Sequence, residues 1–222
     1  QDMKTLKNFA TIVAMLLCCI TANAYSFEVD GIYYNSYGSN SVGVSYKDYN
    51  NGNYNSYSGD VVIPETVTYN DVEYKVTTIG SYAFKNCSGL TSVTIPQGVT
   101  KIETNAFYGC SGLTSVYISS IEDWCNIDFT DYSSNPFCYA KNVYLNGVLL
   151  EELIIPFGIT EIKDATFWNW QNITSVTIPQ GVTTIGPNAF YGCSGLTSVT
   201  IPQGVKTIGS QAFYGCSGLT SV

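Results

Sequence analysis

The chain contains no arginine and no histidine. Nine lysines are its only basic side chains, against seventeen Asp and Glu, for a formal charge of -8. Without histidine it lacks the commonest general base near neutral pH and the commonest zinc ligand. Without arginine, and with its lysines scattered, it has no basic patch to neutralise phosphates, which excludes nucleic acid as a fitting partner. The chain has no C-x-x-C pair, no D-x-D-x-D-G calcium loop and no Gly-rich phosphate loop after a strand. Metals and nucleotide cofactors therefore have no motif to occupy. No Ser, Thr or Cys has a histidine to activate it. The expectation is a chain with no catalytic residue, no cofactor and no metal site.

Long apolar runs are also scarce. The one candidate is Phe9 to Ile20, preceded by Lys4 and Lys7 and followed by the small-x-small triplet Ala22-Asn23-Ala24. That order reads as an export signal over residues 1–24, cleaved after Ala24. The run falls short of the roughly 18 residues that suggest a membrane span. Cys18 and Cys19 admit a lipid-anchor alternative, although Leu17 is not the small residue such a site wants. No other run is long enough to span a bilayer, so none is expected after cleavage. A secreted or cell-surface location follows.

What the chain has in abundance is repetition. Leu90-Thr91-Ser92-Val93-Thr94-Ile95-Pro96-Gln97-Gly98 returns from Leu196 to Gly204, and most of it again from Thr174 to Gly181. Ile155, Ile178 and Ile201 are 23 residues apart, as are Phe84 and Phe107, and Phe190 and Phe213. A fixed period of this length means a solenoid whose units bury their apolar side by stacking. In each unit Val93 and Ile95 alternate with Ser92 and Thr94, which predicts a half-buried strand. Pro96 ends it for lack of an N–H, and Gln97-Gly98 turns the chain. Stacked strands are expected near 61–63, 93–95, 116–118, 153–155, 176–178 and 199–201.

L-x-x-V-x-I-P followed by V-x-x-I-x-x-x-A-F-x-x-C-x-x-L resembles the BspA-like leucine-rich repeat family of surface proteins. Gly98, Gly181 and Gly204 stand where ordinary leucine-rich repeats place Asn. The resemblance covers residues 61–222. It implies a β-rich, right-handed solenoid of ~23-residue coils, with one strand per coil and short helical or irregular convex arcs. It also implies a secreted or surface protein that adheres to other proteins or cells.

Two stretches exceed the period. Ile63 to Ile95 spans 32 residues and Ile118 to Ile155 spans 37. The first surplus, near 67–76, alternates around Asn70-Asp71 and predicts a hairpin. The second, 119–150, predicts a short helix capped by Ser120 and a hairpin on Asn146-Gly147. Both are expected to leave an otherwise continuous stack. Residues 25–60 are expected to cap the first coil with two antiparallel strands, Phe27–Tyr34 and Ser41–Tyr46, since an uncovered end would face water. The sequence stops at Val222 in mid-strand, so the expectation is a fragment truncated at its C-terminus.

The candidate binding face follows from the alternation. Ser92, Thr94, Ser115, Tyr117, Ser175, Thr177, Ser198 and Thr200 should form a two-column ladder on the concave face. Repetition alone explains such a ladder too, because Ser and Thr suit exposed strands. Tyr117 and Tyr144 break the monotony, and Trp124 is expected to project beside the face from the excursion. Tyr is over-represented in recognition surfaces. Tyr37, Tyr49, Tyr54 and Tyr57 either share that role or cover the cap. Protein is the expected partner. A glycan is the second reading, and a spacer holding a further module the third.

Cys87, Cys110, Cys193 and Cys216 share one phase of the repeat with Trp170, which marks a buried apolar position for reduced thiols. Disulfides within each pair are geometrically conceivable, and Cys125 and Cys138 could pair in an exported protein. Glu122, Asp123, Asp128 and Asp131 cluster in the second excursion. Paired acids can hydrolyse glycosides when held across a cleft, but a solvated acidic turn is the simpler reading.

Overall fold

The computed structural model describes residues 24–49 and 54–220. The export-signal expectation therefore lies outside the described residues, apart from Ala24 itself. Strands account for nearly all the regular structure, and each regular coil turns through two faces. The main strands are β4 (Gly59–Val62), β7 (Leu90–Thr94), β9 (Ser115–Ile118), β11 (Asn142–Leu145), β13 (Glu152–Ile154), β15 (Ser175–Thr177) and β17 (Ser198–Thr200). Besides this strand, which the repeat predicts, coils carry a second strand of two residues on the opposite side. These are β8 (Lys101–Ile102), β10 (Asp128–Phe129), β14 (Glu161–Ile162), β16 (Thr184–Ile185) and β18 (Thr207–Ile208). Neighbouring coils pair in parallel through both sets, as in Val176↔Val199 and Ile185↔Ile208.

The repeat residues explain the stacking. Leu90, Val93, Ile102, Phe84 and Phe107 are fully buried. The Phe rings stack coil on coil: Phe84 on Phe107 at 4.9 Å, Phe167 on Phe190 at 5.3 Å, and Phe190 on Phe213 at 5.3 Å. The threonine before β9, β15 and β17 bonds the preceding coil. Thr114 Oγ1 donates to the Thr91 carbonyl at 3.2 Å, Thr174 to Glu151 at 2.9 Å and Thr197 to Thr174 at 3.0 Å. The ladder cysteines do the same inside, where Cys110, Cys193 and Cys216 each donate to the Phe carbonyl of the coil before. The glycine of each Ser-Gly turn is required by close approach. A side chain on Gly112 or Gly195 would run into the carbonyl of Ser88 or Gln171.

The cap differs from its expected form. Phe27–Tyr34 is not one strand but a hairpin, β1 (Phe27–Val29) and β2 (Ile32–Ser36), turning on Asp30 (φ 50°) and Gly31 (φ 79°). Asp-Gly in a two-residue turn favours this geometry because both positions take positive φ. β2 pairs antiparallel with β3 (Ser41–Ser45). β3 in turn runs parallel to β6 (Val72–Ile79), so the cap extends the short-strand sheet. Tyr57 closes the core end. It is buried, its ring lies 4.6 Å from Phe84, and its hydroxyl donates to the Ser45 carbonyl.

The expected hairpin near 67–76 is present as β5 (Thr66–Tyr69) against β6, turning on Asn70 and Asp71. The helix is present as α1 (Ile121–Asn126), with Ser120 Oγ accepting from the Asp123 N–H at 3.1 Å. The second excursion does not leave a continuous stack, however. β11 is itself a main strand, parallel to β9 with Val143 opposite Val116. β12 (Val148–Leu149) then folds back antiparallel onto the far edge of β11. That edge is where the next coil would pair, so β13 starts a new sheet. The main-strand face is therefore two sheets, β12-β11-β9-β7-β4 and β13-β15-β17. The short-strand face breaks at the same level, between β10 and β14.

Candidate binding surface

The register places the outward side chains in two columns. The first runs Asp60, Ser92, Ser115, Asn142 in one sheet and Glu152, Ser175, Ser198 in the other. The second runs Val62, Thr94, Tyr117, Tyr144 and then Ile154, Thr177, Thr200. The eight predicted Ser, Thr and Tyr positions thus do share a face, but the seam divides them four and four. Sequence reasoning missed Asp60, Val62, Asn142, Glu152 and Ile154. The signal was phase: Asp60, Val62, Glu152 and Ile154 stand at the ladder positions of the strands expected near 61–63 and 153–155, and Asn142 joins them once 142–145 counts as a main strand.

The second column is not a hydroxyl ladder in the first sheet. Tyr117 stacks on Tyr144 at 4.7 Å with the rings 15° apart. Leu149 lies opposite Tyr144 across the hairpin and is 40% exposed, and Val62 at the other end is 67% exposed. Beside Thr94 and Tyr117 opens a groove of about 450 Å³, closed by Pro64, Pro96 and the Asn146-Gly147 turn. The column beside it is polar. Asp60 Oδ1 accepts from the Thr91 and Ser92 hydroxyls, both at 2.7 Å, and these bonds hold its carboxyl below the usual range.

Trp124 is not part of this face. It is 1% exposed, stacks on Phe137 at 4.4 Å, and donates from Nε1 to the Thr166 carbonyl at 2.9 Å. The reason is the seam. With no backbone ladder between β10 and β14, the two halves need side chains to join them. Asn135 Nδ2 donates to the carbonyls of Ala165 (2.8 Å) and Thr166 (3.1 Å), and Asn169 Nδ2 to that of Cys138 (3.0 Å). Lys163 pairs with Asp128. Phe137 stands six residues before Val143, as Cys110 stands before Val116 and Trp170 before Val176. It fills the thiol phase with a larger group.

The acids do not converge. Asp128 faces Lys163, and Asp131 accepts from the Asn105 N–H and the Ser133 hydroxyl. Glu122 and Asp123 sit in the first turn of α1. No group of three or more candidate metal ligands forms among the described residues. The six described cysteines are free thiols; all are buried except Cys138, which is half-buried. Burial pushes the Cys125 thiol up to about 12 and that of Cys110 higher still.

A further ladder escaped the sequence reading. The residue after each ladder Phe is Lys85, Tyr108, Trp168, Tyr191 and Tyr214. Trp168 stacks on Tyr191 at 4.1 Å, Tyr191 on Tyr214 at 5.1 Å, and Tyr132 on Trp168 at 5.0 Å. Trp168 and Tyr191 thus each stack between two rings, while the end rings Tyr132 and Tyr214 stack on one ring each and are exposed. Of the cap tyrosines, Tyr54 stacks on Tyr82 and Tyr37 donates to Glu103, while Tyr49 is 63% exposed.

Comparisons with known proteins agree with this architecture. A model of the BspA type leucine rich repeat region matches in six copies over residues 63–136 and 139–222. A leucine rich cell surface protein of Faecalibacterium prausnitzii A2-165 is 26% identical, with TM-score 0.56 over 88% of this chain. The chain spans about half that protein, 53% of its length. A leucine-rich repeat protein of T. pallidum shares the fold at 18% identity, with TM-score 0.51 over 88% of this chain and 91% of its own. No curated protein matches significantly. No helix among the described residues is long and apolar enough to cross a membrane.

Proposed function

Because this chain belongs to the BspA-type leucine-rich repeat family, we propose that it is a secreted or cell-surface protein that binds other proteins across its main-strand face. It performs no catalysis in this reading. The observation that carries the proposal is the stacked Tyr117–Tyr144 pair, with exposed Leu149 beside Tyr144 and the adjoining groove. At Ser92, Thr94, Ser175, Thr177, Ser198 and Thr200 that face carries small hydroxyls. At the tyrosine pair it supplies rigid aromatic area beside a polar column, the composition that anchors protein interfaces. The export-signal pattern read from the sequence of residues 1–24 and the surface description of the F. prausnitzii protein support the location.

The test uses the intact protein, labelled, on cultured host and neighbouring bacterial cells. Changing Tyr117 and Tyr144 together to Ala should lower adhesion at least about tenfold, the effect of losing one or two interface anchors. Ser198→Ala should leave it unchanged. Equal adhesion by the double Tyr variant defeats the proposal. Binding on a glycan array in the absence of any protein ligand moves the reading to a lectin-like module.

A further inference from the structure

The strands that open each sheet break the repeat in the same way. Main strands that keep the repeat read Ser-Val-Thr, as at Ser92–Thr94, Ser175–Thr177 and the far edge strand Ser198–Thr200. β4 and β13 read Asp60-Val61-Val62 and Glu152-Leu153-Ile154. Each pairs on one side only. The two edges are alike in backbone, since at β4 the Gly59 and Ile63 N–H groups bond toward β7, and β13 is set apart by its side chains. The Glu151 carbonyl and the Ile155 N–H both bond toward β15. Peptide groups alternate sides along a parallel strand, so those of Glu152 and Ile154 point away from β15. Among the described residues they have no backbone partner.

The side chains around this edge also depart from the repeat. Ile154 is 70% exposed where its neighbours have Thr177 and Thr200. Phe157 is 85% exposed where they have Gln180 and Gln203. Val148 of the adjacent β12 is 70% exposed. Glu152 is exposed and, among the described residues, has no ion pair or side-chain hydrogen bond, whereas Asp60 is occupied by Thr91 and Ser92.

We propose that the free edge of β13 takes up an extended segment of another protein by strand addition, with apolar residues against Ile154 and Phe157 and a lysine or arginine opposite Glu152. Free N–H and C=O groups select an extended backbone, and alternate pockets select its side chains. The charge selects against a second copy of this chain. Two β13 edges would bring like-charged Glu152 side chains together, as edge strands do when they avoid self-pairing. A basic strand meets the opposite condition. The site is distinct from the Tyr117–Tyr144 surface and does not depend on it.

The probe is a fluorescent, acetylated ten-residue peptide of alternating valine and lysine, added to the full chain. Its control is the same peptide N-methylated at every residue, which keeps the charge and removes the donors. The unmethylated peptide should bind at least about tenfold tighter, as two or more backbone hydrogen bonds imply. By hydrogen exchange, the Glu152 and Ile154 amides should exchange fast in the free protein while Leu153 and Ile155 are protected. The peptide should then slow Glu152 and Ile154. Ile154→Thr with Phe157→Gln restores the sequence of the neighbouring coils, and Glu152→Lys reverses the charge. Each should weaken binding at least about fivefold, and Tyr117→Ala should not. The proposal fails if the peptide does not bind or if the methylated control binds as well. It also fails if protection appears only on β4 or β17, or if Glu152 and Ile154 are already protected, alone or in a dimer.

Discussion

Trp124 Nε1 donates to the carbonyl of Thr166, 42 residues further on, and this bond crosses the level between β10 and β14 where, among the described residues, no backbone ladder joins the coils. Thr166 also receives Asn135 Nδ2, so one carbonyl is shared by two buried donors from the same irregular coil. The two halves of the solenoid are thus held by side-chain chemistry unlike that of any regular coil.

The seam is therefore expected to be a point of low tolerance. Trp124→Phe keeps most of the ring and loses the donor, and should cost about 1–2 kcal/mol. Asn135→Ala removes three hydrogen bonds and leaves the Phe137 N–H unpaired, while the Ala165 and Thr166 carbonyls keep the Trp168 N–H and Trp124 Nε1, and at about 1 kcal/mol per bond it should cost about 3 kcal/mol. Chemical denaturation measures both. In a double-mutant cycle the pair should couple by about 0.5 kcal/mol or more, since they share Thr166. Additive costs would show that the two bonds act separately.

Phe107 lies in the regular stack, parallel within 4° to Phe84 and fully buried. Phe107→Ala should cost about 3–5 kcal/mol as a large-to-small core change. Phe213, partly exposed in the last described coil, should cost less when changed to Ala. Equal midpoints for Phe107→Ala and the parent protein in a urea melt would contradict a stack built on this ladder.

The buried thiols and phenols set an alkaline limit. Burial pushes Cys125 and Tyr34 up to about 12, from ordinary values of 9.0 and 10.0. The folded chain keeps these protons where the unfolded chain releases them. Their contribution is complete below about pH 9 and is lost as pH rises toward 12. Denaturation midpoints should fall across that window. A midpoint that holds steady to pH 11 would show that these groups titrate freely in the folded chain.

The ladder cysteines should resist alkylation at pH 8 until the protein is unfolded. Their sulfurs are buried and, in Cys110, Cys193 and Cys216, engaged with Phe carbonyls. Quantitative labelling before and after denaturant reads this directly. A Cys87–Cys110 or Cys193–Cys216 linked peptide under non-reducing mass spectrometry would overturn it.

The acids of the excursion should be dispensable for adhesion. Glu122→Gln with Asp123→Asn removes charge from the first turn of α1 and should cost under about 1 kcal/mol in all. Adhesion should be unchanged. Polysaccharide hydrolysis that the parent performs and this variant loses would reverse the non-enzymatic reading.

The fold class was legible because a 23-residue period leaves one economical solution, stacking. Val93 and Ile95 point inward and Ser92 and Thr94 outward by alternation alone. The capped helix at Ser120 and the turns at Asn70-Asp71 and Asn146-Gly147 were legible because their signals are local. The Asp30-Gly31 turn carried an equally local signal, but it lay inside an alternating run that suggested one strand.

What the sequence by itself determined is each coil: its strand, its turn and the ladder its apolar residues join. Only the tertiary structure decided where the ladders stop. Whether β12 or β13 pairs with β11 depends on two strands competing for one edge, and that competition leaves no mark in the period. Its outcome buries Trp124 as a bridge and leaves one edge of β13 without a partner. Local pattern sets which way a side chain faces, whereas its neighbours are set by register between segments far apart in the chain.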